Sequence, residues 1–442
     1  MNKTLKLYLV FITIFSLAIS SCRNNSGSRY PDPSENKTKD SIKPPKSESK
    51  IEGINFYLEN SGSMPPYNTE GSNFNLALVK LLRDIELLNL DTIDFFAANT
   101  KIHPLNQNVN DFTNSLIEEG IPNVGNTNSS NLNLIFENIL TRHQDNDISI
   151  LVTDAIYSVK GTPEQIIQKL ETEAYKTRNS FVKALENKNL GTVCLQLISN
   201  YNGSYYPAEG GSVKINQDRP FYIWIFGDSR ILSKFSDDID IFNLPGYNNY
   251  FIRLKKSEFD LPYTIIHDNI GKIGNFKYAK KYPSFEITDA ERSSRPDTKG
   301  EFGFAVAVDY SNIPLPSKHF MNNINYQLNS DDYELYDIRS INKGLEEKQS
   351  EIIREIEDEI GGIDFTHILF FKTKTKYLQT FEITLNNEIP NWISEVGIDN
   401  DSKIEGNTNQ TFGFDKLSSG IINAYNKSNN SETILTIKVT IK

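Results

Sequence analysis

The chain has 442 residues with 38% hydrophobic and 23% charged side chains, enough length and apolar content for two or three folded domains. Its formal net charge of −11 argues against nucleic acid or an anionic lipid surface as a partner. The two cysteines, Cys22 and Cys194, offer no disulfide framework, and the five scattered histidines show no His-x-x-x-His spacing of a zinc hydrolase.

Lys3 and Lys6 precede a nearly all-apolar run from Leu7 to Ile19, and Ser20 and Ser21 lead into Cys22. This is the layout of a secretory leader, with an apolar core too short to read as a spanning helix. The ending Ile-Ser-Ser-Cys resembles a bacterial lipobox, which implies removal of 1–21 and lipidation of Cys22. An anchor of several acyl chains is stable. The expected location is therefore the bacterial cell envelope, on the outer membrane, with the lipid as the only membrane contact. No later segment is apolar and long enough to cross a bilayer. Residues 22–50, rich in Ser, Asn, Lys and Pro, cannot bury enough apolar surface to fold and read as a tether.

From Ile51 the patterning changes. Residues 52–58 form a short apolar strand, and Leu76, Val79, Leu82 and Ile85 then fall at helical spacing within 73–88. A second strand begins at Thr92. A helix is expected over 130–141, with Leu132, Ile135, Phe136 and Ile139 on one face. A third strand ends at Thr153 and Asp154, and a long helix follows from Pro163 to about Asn187, proline in its first turn. Two more apolar strands start at Leu190 and Pro220. The first contains Cys194, which reads as a buried small hydrophobe. Between them, 200–219 reads as an aromatic loop. Its Tyr201, Tyr205 and Tyr206 either pack on the domain or offer stacking faces to a sugar or a partner. Near-continuously apolar strands alternating with helices imply an α/β doubly wound, mainly parallel sheet over 51–245. Sites in such sheets lie at the carboxyl ends of the strands.

Two of those ends stand out. The first strand runs into Glu59-Asn60-Ser61-Gly62-Ser63, and the third into Thr153-Asp154. Here the sequence resembles the von Willebrand factor type A family, whose first strand ends in an Asp-x-Ser-x-Ser loop and whose fourth ends in Thr-Asp. The resemblance covers about residues 52–240. It implies a metal-ion-dependent adhesion site formed by Glu59, Ser61, Ser63 and Asp154. A threonine from a loop between them completes it, matched by Thr127 in Gly-Asn-Thr-Asn-Ser-Ser, with Ser129 or Ser130 as substitutes. The sequence departs from the family in carrying Glu59 for Asp, and Ala155 where Gly usually follows the second acid. The implied site is thus a degenerate one.

Oxygen-only donors favour Mg²⁺ or Mn²⁺, with Ca²⁺ behind them, over zinc. Neutral hydroxyl ligands would leave such a cation electrophilic and open to an acidic side chain from a partner.

Residues 246–442 read differently. Period-2 alternation in 301–310, 377–385 and 432–442, with a continuous apolar run from Thr366, predicts an antiparallel β-sandwich, or two small ones. A helix over 345–360 presents Ile352, Ile353, Ile356 and Ile360 to a sheet, and a shorter one is expected near 415–426. Asp399, Asp401 and Glu405 miss the helix-loop-helix calcium spacing and read as a solvated acidic turn. Trp392 is either a core residue or a carbohydrate-facing aromatic.

The expectation is a non-catalytic lipoprotein that holds another envelope protein through the strand-end face. The alternatives are a glycan-binding surface lipoprotein, resting on the tyrosine-rich loop, and a serine-nucleophile hydrolase using Ser61 or Ser63. No Gly-x-Ser-x-Gly elbow supports the last.

Overall fold

Seven strands pair into a sheet that carries the two strand ends singled out above. The computed structural model describes residues 50–255, 261–278, 281–386, 389–429 and 433–442. The expected leader, Cys22 and all but the last residue of the tether lie outside the described residues. In chain order the strands are β1 (Gly53–Glu59), β2 (Thr92–Ala98), β3 (Ile102–Leu105), β4 (Asp147–Thr153), β5 (Leu190–Tyr205), β6 (Val213–Asp228) and β7 (Tyr247–Leu254). They lie in the order β3-β2-β1-β4-β6-β5-β7.

Only β2, β1 and β4 run parallel side by side. Strand β3 returns antiparallel on β2, and β6, β5 and β7 continue antiparallel beyond β4. The expected mainly parallel sheet is therefore mixed. The reason lies in 200–219, which packs on the domain as a hairpin. Residues 206–212 are its loop, while 200–205 and 213–219 extend β5 and β6 to 16 residues each, so the chain folds back where a parallel neighbour would need a crossover.

Helices cover both faces. Of α1 (Asn73–Glu86), α2 (Val109–Glu118), α3 (Leu132–Arg142), α4 (Pro163–Asn187) and α5 (Ser229–Asp238), α1, α2 and α5 pack on one face, and α3 and α4 on the other. Strand β5 shows why both need cover: Val193, Leu195 and Leu197 enter one core, and Cys194 enters the other. Cys194 is a free thiol, and burial pushes its pKa well up. Helix α1 begins at Ser72, whose hydroxyl accepts the Asn75 N–H. Its buried stripe runs through Phe74, Leu78, Leu81, Leu82 and Ile85, leaving Leu76 exposed, contrary to the expected face. Phe74, packed against Tyr67 and Phe221, sets that rotation.

The second half supplies β8 (Tyr263–Ile265), β9 (Asn275–Tyr278), β10 (Glu286–Glu291), β11 (Phe302–Val308), β12 (Tyr326–Leu328), β13 (Tyr333–Ser340), β14 (His367–Thr373) and β15 (Phe381–Asn386). The two-residue β16 (Gly397–Ile398) and β17 (Thr411–Phe412) follow, then β18 (Thr433–Ile441). A five-stranded sheet, β12-β15-β18-β10-β9, packs its apolar face on a four-stranded one, β13-β14-β11-β8. Phe381 joins them, touching Phe304 and Phe371. Within these two sheets pairing is antiparallel except between β10 and β18, and β16 pairs with β17 in parallel apart from them.

The helices here are the short α6 (Ser317–Phe320) and α7 (Ile341–Gly344), then α8 (Glu347–Ile360), α9 (Trp392–Val396) and α10 (Phe414–Asn429). Helix α8 lays Ile353 and Ile356 on the outer face of the four-stranded sheet, against Ala305, Ala307 and Ile368. Among the described residues no helix is long and apolar enough to cross a membrane.

Residues 391–429 lie between β15 and β18 of the sandwich in sequence yet pack on the first sheet. Phe414 stacks on Tyr222 at 4.2 Å, and the Tyr425 and Thr192 hydroxyls share a hydrogen bond of 2.7 Å. Helix α10 thus lies beside α4 and closes the face that carries Cys194 and Trp224. Trp392 packs on Phe414 and donates its indole N–H to Tyr250 O, which makes it a packing residue. Both tryptophans of the chain therefore report on this one core. Leu417→Ala, at a fully buried position of α10, is expected to cost about 2–5 kcal/mol. Urea unfolding followed by tryptophan fluorescence checks it, and a loss under about 1 kcal/mol would show that α10 does not support the sheet.

Candidate functional site

Register decides what meets at the carboxyl edge. Leu58 of β1 sits level with Ala97 of β2 and Val152 of β4, so Glu59, Asn99 and Thr153–Asp154 emerge side by side. The chain leaves β1 for β2 on one side and returns as β4 on the other. This change of direction opens a crevice outside the strand ends.

Two amide side chains shape its wall. Asn60 donates from Nδ2 to the carbonyls of Pro122 (2.8 Å) and Val124 (2.7 Å), while Asn99 donates to Asn60 Oδ1 and Val124 O, each at 3.0 Å. They fasten the 122–125 turn to the strand ends. Gly125 has φ +76° there, and a Cβ would lie 2.3 Å from the His103 ring, so the turn requires glycine. The following segment then passes over the first loop, with Thr127 O only 3.6 Å from where a Gly62 side chain would begin.

Four of the five expected residues come together. Ser61 donates to Glu59 Oε1 at 2.6 Å, and its oxygen lies 3.1 Å from Ser63 Oγ. Thr153 donates to Glu59 Oε2, and its own oxygen accepts the Ala155 N–H at 2.9 Å. Asp154 accepts the Ile156 N–H through Oδ1 at 3.1 Å, and the nearby Ser63 hydroxyl holds its carboxyl down. Its Oδ2 is buried with no hydrogen-bond partner.

Thr127 is the exception. The third hydroxyl to reach Glu59 belongs to Ser130, which is buried immediately before Asn131, the cap of α3, whereas Thr127 is half-buried and Ser129 exposed. Ala155, where the family pattern has Gly, adopts φ +57°. This left-handed conformation favours glycine and strains alanine by about 1–2 kcal/mol.

Glu59 and Asp154 are each at most 1% exposed. Burial pushes the Glu59 carboxyl up to about 7, and the Asp154 charge adds to that rise, opposed by bonds from Ser130, Ser61 and Thr153. Burial likewise raises Asp154, against the Ser63 and Ile156 bonds and the charge of Arg219. Arg219 is a member of the site that sequence reasoning missed. It is fully buried on β6, its guanidinium 4.6 Å above the Tyr205 ring, and it donates to Gln410 O at 3.5 Å. It sits in the run first read as a loop, and only the hairpin register carries it beneath the first loop.

The same register turns Tyr201 and Tyr205 inward, leaving Tyr206 alone exposed, so two of the three expected stacking faces are core. Asp401 is no solvated turn either. It is buried and accepts from the Tyr205 hydroxyl (2.7 Å) and the Ala208 N–H (3.0 Å), fixing the 399–412 segment to the hairpin. Glu405 is exposed, and Asp399 lies 3.8 Å from the Lys416 ammonium, so the three acids do not converge as a calcium loop.

The donor set fits a hard cation. Every donor is oxygen, one buried carboxylate oxygen lacks a partner, and Ser61, having given its proton to Glu59, keeps a lone pair beyond the one that faces Ser63. Among the described residues no group of three or more His, Cys, Asp or Glu converges, so hydroxyls rather than a carboxylate cage would supply direct ligands. Among the described residues no histidine bonds Ser61; its partners are Glu59 and Ser63.

A carboxyl raised in the folded state stabilises the fold fully below the unfolded value and loses that contribution as pH rises through the folded one. Stability in chelator should therefore fall between roughly pH 4.5 and pH 7. Glu59→Gln should flatten that slope, as read from urea midpoints across the range. Equal slopes in the two proteins would show that Glu59 titrates normally. Searches for a matching family model, a matching curated protein and a matching solved structure found none.

Proposed function

We propose that this protein is a lipid-anchored envelope protein, tethered through Cys22 and residues 22–50, that holds another envelope protein at the strand-end crevice. On this reading the first sheet and its helices are a von Willebrand factor type A-like domain, and the crevice is a degenerate metal-ion-dependent adhesion site for Mg²⁺ or Mn²⁺. The observation that carries it is the clustering of Glu59, Ser61, Ser63 and Asp154 from two distant segments, with Asp154 Oδ2 buried and unpartnered.

Ser61 and Ser63 would hold the cation, with Ser130 in the role first given to Thr127. Glu59 takes the hydroxyl protons of Ser61 and Thr153, which turns the Ser61 lone pairs away from it. Glu59 and Asp154 supply negative charge, that of Asp154 offset in part by Arg219. A bound cation supplies the remaining positive charge and a coordination position for an acidic group of the partner. The loops 59–69 and 121–131 carry no basic side chain, so attraction of that acid would rest on the cation.

The test is the stability of the full chain in EDTA against Mg²⁺, Mn²⁺ and Ca²⁺, beside Ser61→Ala/Ser63→Ala. A cation at about a hundred times its Kd adds roughly 2.7 kcal/mol when it binds only the folded state. Mg²⁺ or Mn²⁺ is expected to stabilise the wild type and not the variant, and more so at pH 8 than at pH 5, because binding displaces protons. Absence of any cation-dependent shift across that range would reject the metal site.

A further inference from the structure

We propose that a second site, a polar pocket between α5 and the sandwich, binds a neutral, hydroxyl-rich small molecule of monosaccharide size. The pocket has a volume of about 260 Å³. That is below the ~300–1,000 Å³ of drug-sized sites, and junctions between packed units are where such sites concentrate.

Its lining combines Ser233 on α5 with Ser311, Ser340, Asn342 and His367, and its apolar part includes Ile313 and Leu315 beside Tyr310 and Phe320. Among the described residues, the side chains of Ser233, Ser311, Ser340 and Asn342 make no hydrogen bond within the protein. Ser340 is the clearest instance, because it occupies a helix cap position and its hydroxyl makes no cap bond. Ser233 and Ser340 are half-buried and Ser311 and Asn342 exposed, so all four can exchange water for the hydroxyls of a guest.

The state of His367 follows from its neighbour. The Thr366 hydroxyl donates its single proton to Val308 O (3.2 Å) and accepts the Tyr310 N–H (2.9 Å). Towards His367 Nδ1, 2.9 Å away, it can therefore only accept, so Nδ1 carries the ring hydrogen and Nε2 presents a lone pair. Burial lowers His367 to about 4, which keeps the ring neutral near pH 7.

Charge is absent from the rest of the lining except at Asp237. That carboxylate already accepts both the N–H and the hydroxyl of Ser317, each at 3.1 Å, and so ties α5 to the start of α6 along the pocket. An anion would meet no cation here, and a cation would meet no free carboxylate. Hydroxyls suit every group present: they donate to His367 Nε2 and exchange bonds with serine and the asparagine amide. The aliphatic floor suits the C–H face of a sugar ring.

Titration calorimetry and saturation-transfer NMR on the full chain test this with glucose, galactose, mannose, N-acetylglucosamine and myo-inositol. Acetate and phosphate serve as charged comparators. At least one of the neutral compounds should bind with millimolar or tighter affinity, unchanged between pH 6 and 8. Asn342→Ala and Ser340→Ala, neither side chain bonded within the protein, should each weaken it roughly three- to tenfold. Ser63→Ala, at the other site, should leave it unaltered. Failure of all five compounds, equal binding by the Asn342 and Ser340 variants, or preference for acetate or phosphate would overturn the proposal.

Discussion

Two carboxylates end in the dry interior because β1 and β4 lie side by side in parallel and stop at the same level. Everything local to the site answers that burial. Each oxygen of Glu59 takes a hydroxyl proton, Asp154 takes a backbone N–H, and the Arg219 charge favours its ionised form. The compensation is incomplete. Asp154 Oδ2 has no partner, and burial raises both carboxyls, which favours their neutral forms. A buried charge without compensation is among the costliest features a fold can carry.

The core of this site was legible because a β-strand projects its sequence directly into space. The resemblance of the two strand ends to the adhesion-site pattern named Glu59, Ser61, Ser63 and Asp154, and the parallel pairing of β1 with β4 brings them together. Residues set by loop geometry were less accessible. Ser130 replaces Thr127 because the 122–125 turn, pinned by Asn60 and Asn99, fixes how far the next segment reaches. No local pattern encodes that distance. Arg219 was hidden for a different reason. Its neighbours alternate polar and aromatic residues with glycine, which reads as a loop, and only hydrogen bonding along the full hairpin makes them strand.

The sandwich was readable from period-2 alternation, and α8 from its isoleucine stripe. The destination of α10 was not, since an amphipathic helix announces that it has a partner without naming it. The two-residue strands β16 and β17 and the buried Asp401 hold the intervening segment against β5 and β6, and that attachment brings Gln410 to Arg219. The far end of the chain thereby becomes part of the support beneath the crevice.

That closure sets an order of events. A polypeptide emerges N-terminus first, whether from a ribosome or through a translocon. Strands β5 to β7 therefore exist for some 160 residues of further synthesis with α3 and α4 as partial cover on the face that carries Cys194, Tyr222 and Trp224, and with no Phe414 over Tyr222. Native closure of that face must await the final helix, and contacts so distant in sequence form slowly. In the interval part of the half-finished face is apolar surface that the last thirty residues have yet to cover.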